Sequence, residues 1–356
     1  MDDKDILQSK VIDFLRFPMI VSIVLLHAFL ESIKGLDIPA NGIPVYHFLS
    51  FFISRVLVSV AVPLFFFISG YLFFYRVSFS LAVYGKKLRA RVRTLLIPYL
   101  FWNVVVLAGY WAMALLSPVE FTSGAYKLVQ DYTLRDYLLC FWNINGAMPV
   151  NGVLWFIRDL MIMVVCAPVV YWVLRYFRWY ALVVLGGIWM TGVTLEIPQM
   201  SAVFFFSVGA WFSISGRNFV EDFKSFFPWG VVLYLVYAVA VVGARGSAGF
   251  VYISNAGILI GIVSCIALTS HYVANGKWRA SVFLMGSYFL VYAFHQLPLN
   301  LLVRIIFRRF HPEADWQFTL IYLMAPLTII AIDVGVYTLL KKLFPKFTAV
   351  ITGGRN

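Results

Sequence analysis

Ten long apolar runs dominate this chain and leave few folds open to it. They cover approximately residues 11–33, 47–75, 93–117, 152–174, 178–195, 198–215, 226–243, 249–272, 280–303 and 317–343. A helix crossing a hydrocarbon core about 30 Å thick needs about 20 mostly apolar residues, and each run is near that length. Composition agrees: 62% of the 356 residues are hydrophobic and 12% charged, against about 25% charged in a typical soluble domain. Mean hydropathy is +0.87. So few charges exclude water-soluble globules and disordered chains. The sequence therefore predicts an all-α integral membrane protein, a single domain over 1–356 with about ten transmembrane helices in one bundle. The longest connection, 118–151, is too short for a soluble domain, and no internal repeat stands out.

An even number of spans puts both termini on one side. With the termini in the cytoplasm, nineteen Lys and Arg fall inside and seven outside, while Arg55 and Arg158 stay in the membrane. The positive-inside rule favours this orientation. Lys34 and Lys127 count to the outside and Arg355 to the inside. The outside cluster Arg304, Arg308 and Arg309 runs against the rule and would suit an anionic partner. The net charge of +12 does not point to nucleic acid, because the basic residues lie between the apolar runs. Cys140, Cys166 and Cys265 are too few and too scattered for a disulfide framework or a metal site. The first ten residues are acidic, and the first run holds Arg16 and His27 without a small-residue cleavage site, so no cleavable signal peptide is expected.

Ionisable groups inside a bilayer are expensive and usually face the bundle interior or an aqueous cavity. At 1.5 Å per residue, His27 lies about 24 Å from the inner start of the first helix. On the same scale Arg158 and Asp159 lie about 10 Å, and Arg55 about 12 Å, below the outer starts of their helices. His295 lies about 21–23 Å up the ninth run, so these five groups share an outer layer. An inner layer holds Asp13 and Arg16, one turn apart, with Ser69-Gly70 and the basic loop Lys86 to Arg93. Arg16 and His27 are eleven residues apart, about 1100° of helix rotation, which places both on one face.

These residues carry a resemblance. Asp13-Phe-Leu-Arg16, followed by ten residues and His27, is similar to the first-helix motif of the acyltransferase-3 family, bacterial membrane enzymes that O-acylate cell-surface glycans. Phe65-Phe-Phe-Ile-Ser69-Gly70-Tyr71 resembles the family's aromatic-aromatic-x-x-Ser-Gly helix end. Leu154-Trp155-Phe156-Ile-Arg158-Asp159-Leu160 resembles its fourth-helix signature, and Tyr292-Ala-Phe-His295 its late Tyr-x-x-His. The motifs run in order from about residue 11 to 296. The family often has Arg-x-x-Arg in the basic stretch. Here Arg89, Arg91 and Arg93 are spaced by two and only Lys86-x-x-Arg89 approximates it, so the cation serving the donor stays open.

The resemblance implies an inner-membrane O-acyltransferase, with no permanently bound cofactor. Cytoplasmic acyl-CoA (acetyl-CoA first) would donate to a hydroxyl of an extracytoplasmic polysaccharide or lipid-linked glycan. A sugar hydroxyl attacking a thioester needs a base, and histidine suits that task; His27 could instead take the acyl group itself or only pack against a neighbouring helix. Asp159 would orient His27 or merely neutralise Arg158 or Arg55. Glu31, one turn beyond His27, marks either a further candidate or a solvated helix end. For the donor, Arg16, Asp13, Ser69, Gly70, Arg89, Arg91 and Arg93 are candidates. Their alternatives are an interface anchor, an anionic-lipid contact and close packing by small residues. Trp155, Arg158, Arg55, Tyr292 and His295 are acceptor candidates, with an aromatic belt or structural hydrogen bonds as the plain reading. The segment with Trp142, Asn143, Asn145 and Asn151 would form a sugar-binding lid or an interfacial amphipathic segment. A transporter or glycan flippase using the same charges is the rival class, although no repeated halves or paired broken helices support it.

Overall fold

The computed structural model describes residues 3–33, 35–116 and 128–354; Lys34, Lys127 and Arg355 of the charge count lie outside them. Helices build the whole fold, and no strand occurs among the described residues. In chain order they are α1 (Asp3–His27), α2 (Pro44–Ser50), α3 (Ala61–Phe74), α4 (Leu81–Arg91), α5 (Ile97–Leu116), α6 (Leu134–Leu139), α7 (Trp155–Val165), α8 (Ala167–Phe177), α9 (Trp179–Met190), α10 (Met200–Ile214), α11 (Phe219–Phe223), α12 (Trp229–Gly243), α13 (Phe250–Ala274), α14 (Val282–Phe294), α15 (Gln296–Phe310), α16 (Asp315–Leu343) and α17 (Pro345–Ile351).

Among the described residues four helical stretches are long and apolar enough to cross a membrane: Pro44–Phe74, Leu81–Leu115, Phe250–Ala274 and Asp315–Leu343. Three more candidates are bent pairs, α7 with α8 (62°), Phe219–Phe226 with α12 (74°) and α14 with α15 (65°). The structure thus offers four to seven candidate spans where the apolar runs suggest ten. The remaining three runs fall on α1, whose charges lower its hydropathy, and on α9 and α10. The last two are 12 and 15 residues long, about 18 and 22 Å of helix. The first run is also shifted, because α1 begins at Asp3 and ends at His27.

The core is a Phe-rich seam between α3 and α10. Neither helix carries a charged residue, and glycines let the two backbones nearly touch. A Cβ on Gly70 would lie 2.0 Å from the Phe206 carbonyl oxygen, and one on Gly209 would lie 1.9 Å from that of Phe67. Phe67 packs edge-on to Phe212 and Phe219 around this contact. Gln8 on α1 donates to the Tyr71 hydroxyl at 2.8 Å and ties α1 to the same seam.

Between α2 and α3 the helix loosens into a π-helical stretch, Phe51–Val56, and a 3-10 turn, Leu57–Val60. Irregular backbone frees carbonyls that must be satisfied from elsewhere in an apolar medium. The Tyr234 hydroxyl lies 3.2 and 2.9 Å from the Val56 and Leu57 carbonyls. The Ser54 hydroxyl, 2.5 Å from the Leu25 carbonyl, fastens this stretch to the end of α1. Farther out, the Asp315 carboxylate caps α2 through the backbone N–H groups of Val45 and Tyr46, both at 2.9 Å.

Two features depart from the sequence reading. The basic stretch is not a loop: α4 begins at the Ser80 cap, which accepts from Val83 N, and runs on through residues 92–96 into α5. The Arg304, Arg308 and Arg309 cluster also gains a reason. Arg308 and Arg309 lie in the last turn of α15, which bends away from α14 and exposes Ile305 and Phe310 beside them, with Arg304 about a turn earlier. Cations in a last helical turn are favoured by the helix dipole.

Candidate active site

The α1 helix links the two ends of the site. Near one end Arg16 donates to Asp13 at 2.8 Å, and both side chains remain about one-third exposed. From there a cavity of about 170 Å³ runs into the bundle, with Arg16 and Arg91 among its lining residues and a largely apolar wall of Ile20, Ile23, Phe65, Ile68 and Leu160. Ser69 lines this cavity whereas Gly70 is spent on the α10 contact, so the Ser-Gly pair divides between access and packing. Arg91 alone of the three closely spaced arginines lines the cavity, while Arg89 and Arg93 are exposed. The helix explains this, since residues two apart are turned by about 200° and point to opposite sides. The neighbouring Lys87 is tethered to the Phe73 carbonyl and sits 5.1 Å from its ring centroid.

Tyr288, Phe289 and Tyr292 also line the cavity; α1 ends at His27, which is not among the lining residues. Its ring lies 5.5 Å, centroid to centroid, from that of His295. His295 is fully buried at the 65° break between α14 and α15. Its Nδ1 is 2.9 Å from the carbonyl oxygens of both Val291 and Tyr292. Carbonyls only accept, so Nδ1 carries the proton and a neutral ring keeps its lone pair on Nε2. That Nε2 has no hydrogen-bond partner among the described residues. An unpaired buried acceptor beside a second, partly exposed imidazole is what a bound hydroxyl, as donor, would complete.

Beyond His27 a second cavity, about 260 Å³, is lined by Leu26, Arg55, Trp155, Trp189, Ser201 and Asn255 among others. Trp155 and Arg55 thus share one wall, as an acceptor site requires. Trp189, Ser201 and Asn255 were not among the sequence candidates. Asn255 had a readable signal, an amide within an apolar run, and its Nδ2 donates to the Trp189 carbonyl at 3.1 Å.

Asp159 and Arg158 are not free for chemistry. Asp159 Oδ1 accepts from Arg158 Nε at 3.0 Å and Nη2 at 2.8 Å, and Oδ2 accepts from Gln199 N at 2.8 Å. Arg158 Nη1 donates to the Trp142 and Ala147 carbonyls at 2.6 and 2.7 Å. The pair is 1% and 0% exposed, so it clamps the segment before α7 and the start of α10 to the bundle. The contacts of Asp159 are thus those of the neutralising alternative, with Arg158 and Gln199 as its partners, and no hydrogen bond joins it to His27 among the described residues. Tyr292 is likewise tied, donating to the Val153 carbonyl, although its ring faces the first cavity.

The remaining candidates differ in their contacts. Asn151 is buried and donates to the Ala293 carbonyl at 2.8 Å, and its own N–H reaches Asn103 Oδ1 at 3.1 Å. Trp142 is 45% exposed; Asn143 and Asn145 each bury a side-chain oxygen without a partner among the described residues. Glu31 is not a plain solvated helix end, since it accepts from the Tyr46 hydroxyl and lies 3.2 Å from His47 Nδ1. One buried acid escaped the sequence reading. Asp333 on α16 is 0% exposed, and neither of its oxygens finds a partner among the described residues. No cluster of His, Cys, Asp and Glu able to hold a metal ion occurs among those residues.

The chain is similar to known proteins over most of its length. The family profile described as an acyltransferase domain matches residues 10–334. The succinoglycan biosynthesis protein ExoH of Rhizobium meliloti (strain 1021) is 28% identical over 376 aligned residues, covering 98% of this chain and 93% of that protein. No solved structure matches the chain. The family match takes in His27, both cavities and the α14–α15 break, so it does not rest on any single motif. This chain belongs to the acyltransferase-3 family.

Proposed function

We propose that this protein is a membrane-bound O-acyltransferase that moves an acyl group, acetyl first among candidates, from cytoplasmic acyl-CoA to a hydroxyl of a cell-surface polysaccharide or lipid-linked glycan. The observation that carries the proposal is that His27 and His295 meet ring to ring while their chain neighbours line two different cavities, Tyr292 the one that Arg16 and Arg91 also line, and Leu26 the one that Trp155 and Arg55 also line. The similarity to a succinoglycan biosynthesis protein supports a glycan as the acceptor. In this reading the ten apolar runs are ten crossings of one domain over 1–356 in the bacterial inner membrane. Both termini and the Arg16 end face the cytoplasm, in keeping with the basic residues around α4.

The chemistry follows from the placement. The phosphates of coenzyme A meet Arg16 and Arg91, whose guanidinium forks suit phosphate oxygens, and the pantetheine arm passes Ser69 along the apolar cavity. Arg16 to His27 is eleven residues, about 16 Å along α1. At His27 the acceptor hydroxyl loses its proton to the imidazole as its oxygen attacks the thioester carbonyl carbon. The C–S bond breaks, the C–O bond forms, and the thiolate takes the proton back from the imidazolium. His295, with its lone pair on Nε2, holds the hydroxyl in line.

Purified protein in detergent, given a panel of acyl-CoAs and glycan fragments, should release free coenzyme A in step with ester formation. Absence of both acyl transfer and thioester hydrolysis across the panel would remove this reading.

A further inference from the structure

The second cavity holds a cation that nothing in its wall neutralises. Arg55 sits in the π-helical stretch that Ser54 fastens to the Leu25 carbonyl, and its guanidinium carbon lies 4.7 Å from the Phe29 ring centroid. Its guanidinium therefore lies beside the segment that follows α1, over a residue two positions after His27. No Asp or Glu lines the cavity, and no carboxylate lies within ion-pair distance of Arg55 among the described residues. The nearby hydroxyls do not offset it. Ser54 lies within hydrogen-bond reach of the Leu25 carbonyl and the Tyr322 hydroxyl, and Ser59 is turned to the Val56 carbonyl. Arg158, the other intramembrane arginine, has its own acid beside it, which makes the contrast informative.

Arg55 is exposed and lines the cavity, so a ligand there can reach its guanidinium, and planar pairing with a carboxylate is the interaction that fork is shaped for. The wall supplies no acid for that pairing, so the carboxylate would come with the ligand. We propose that Arg55 is the receptor for a carboxylate carried by one of the two reactants, so that this enzyme selects an acidic substrate at His27. Resting on the acyl-transfer reading, this adds the charge class of what is transferred or modified. The carboxylate has two possible carriers: an acidic sugar on the acceptor, or the far end of a dicarboxylic acyl group on the donor. Both put an anion in the same cavity. Trp155 and Trp189 both line this cavity, and indole rings suit a sugar ring beside them.

The test pairs reactants that differ only in that charge. Acetyl-CoA is compared with succinyl-CoA, and a neutral oligosaccharide with its uronic-acid counterpart, on wild type, Arg55→Gln and Arg55→Lys. Wild type should prefer one charged reactant over its uncharged partner by about ten- to a hundredfold in kcat/KM, the range of a charge-assisted hydrogen bond. Arg55→Gln should bring that ratio close to one, and Arg55→Lys should keep part of it. The arm showing the preference names the carrier. No preference in wild type for either charged reactant, or a preference that survives Arg55→Gln, overturns the proposal. If no pair is turned over, the acyl-transfer reading fails by itself. Calorimetric affinities of wild type for the acidic and neutral members of each pair then decide: tighter binding of an acidic member supports the proposal, and equal binding ends it.

Discussion

Breaking the Arg158–Asp159 pair separates a structural clamp from a catalytic acid. Five hydrogen bonds meet at this pair, with both side chains essentially inaccessible. Removing one partner of a buried pair costs about 3–5 kcal/mol because the other charge is left uncompensated. Asp159→Ala strands the guanidinium and leaves the Gln199 N–H without its acceptor, so it should sit at the upper end of that range. Asp159→Asn keeps one acceptor oxygen and should sit at the lower end. Against a total stability of about 5–15 kcal/mol for a typical domain, either loss is large. The neutral double variant Arg158→Gln/Asp159→Asn strands no charge and should recover part of the loss, a coupling that a double-mutant cycle measures. Thermal unfolding in detergent, followed with coenzyme A affinity and turnover on each variant, gives the answer. An Asp159→Asn protein with wild-type melting temperature and no turnover would refute the clamp and return the carboxylate to the chemistry.

Three further outcomes follow from particular contacts. Arg91→Gln should weaken coenzyme A binding by about 1.5–3 kcal/mol, the worth of a hydrogen bond to a charged group, while Arg89→Gln and Arg93→Gln change it by less than about 1 kcal/mol, as for exposed charges; equal losses by titration calorimetry would contradict the cavity assignment. Gly209→Ala places a carbon 1.9 Å from a backbone oxygen, and overpacking of this kind costs about 1–3 kcal/mol or more, so the variant should elute as aggregate on size exclusion; a monodisperse, wild-type melting protein would show that α3 and α10 do not touch there. Single cysteines at Arg89 and Met148, on a background without the three native ones, should label from opposite sides of the membrane; labelling from one side would overturn the orientation.

Helical class and the first-helix face were legible in the sequence because both depend on local spacing. Apolar runs and an eleven-residue interval between Arg16 and His27 need no tertiary knowledge. The proximity of His27 and His295 was legible only as a shared depth, since depth follows from rise per residue whereas lateral neighbours do not. The fate of Asp159 could not be read, because its competitors for a hydrogen bond include the backbone of Gln199, forty residues away. Gly70 shows the same limit: its Ser-Gly motif reads as a site or a packing contact until α10 is seen lying against it. The basic stretch was misread as a loop, as its many cations hid a helix long enough to separate Arg91 from Arg89 and Arg93.

The central claim is that His27 performs proton transfer between two reactants arriving from opposite ends of the bundle. The most direct measurement is single-turnover acyl transfer by His27→Ala, with coenzyme A affinity and melting temperature taken on the same preparation. A general base contributes typically 10²–10⁴-fold, so turnover should fall by about that factor while donor affinity and folding stay at wild-type values. A well-folded His27→Ala protein that transfers the acyl group at near wild-type rate would contradict the account.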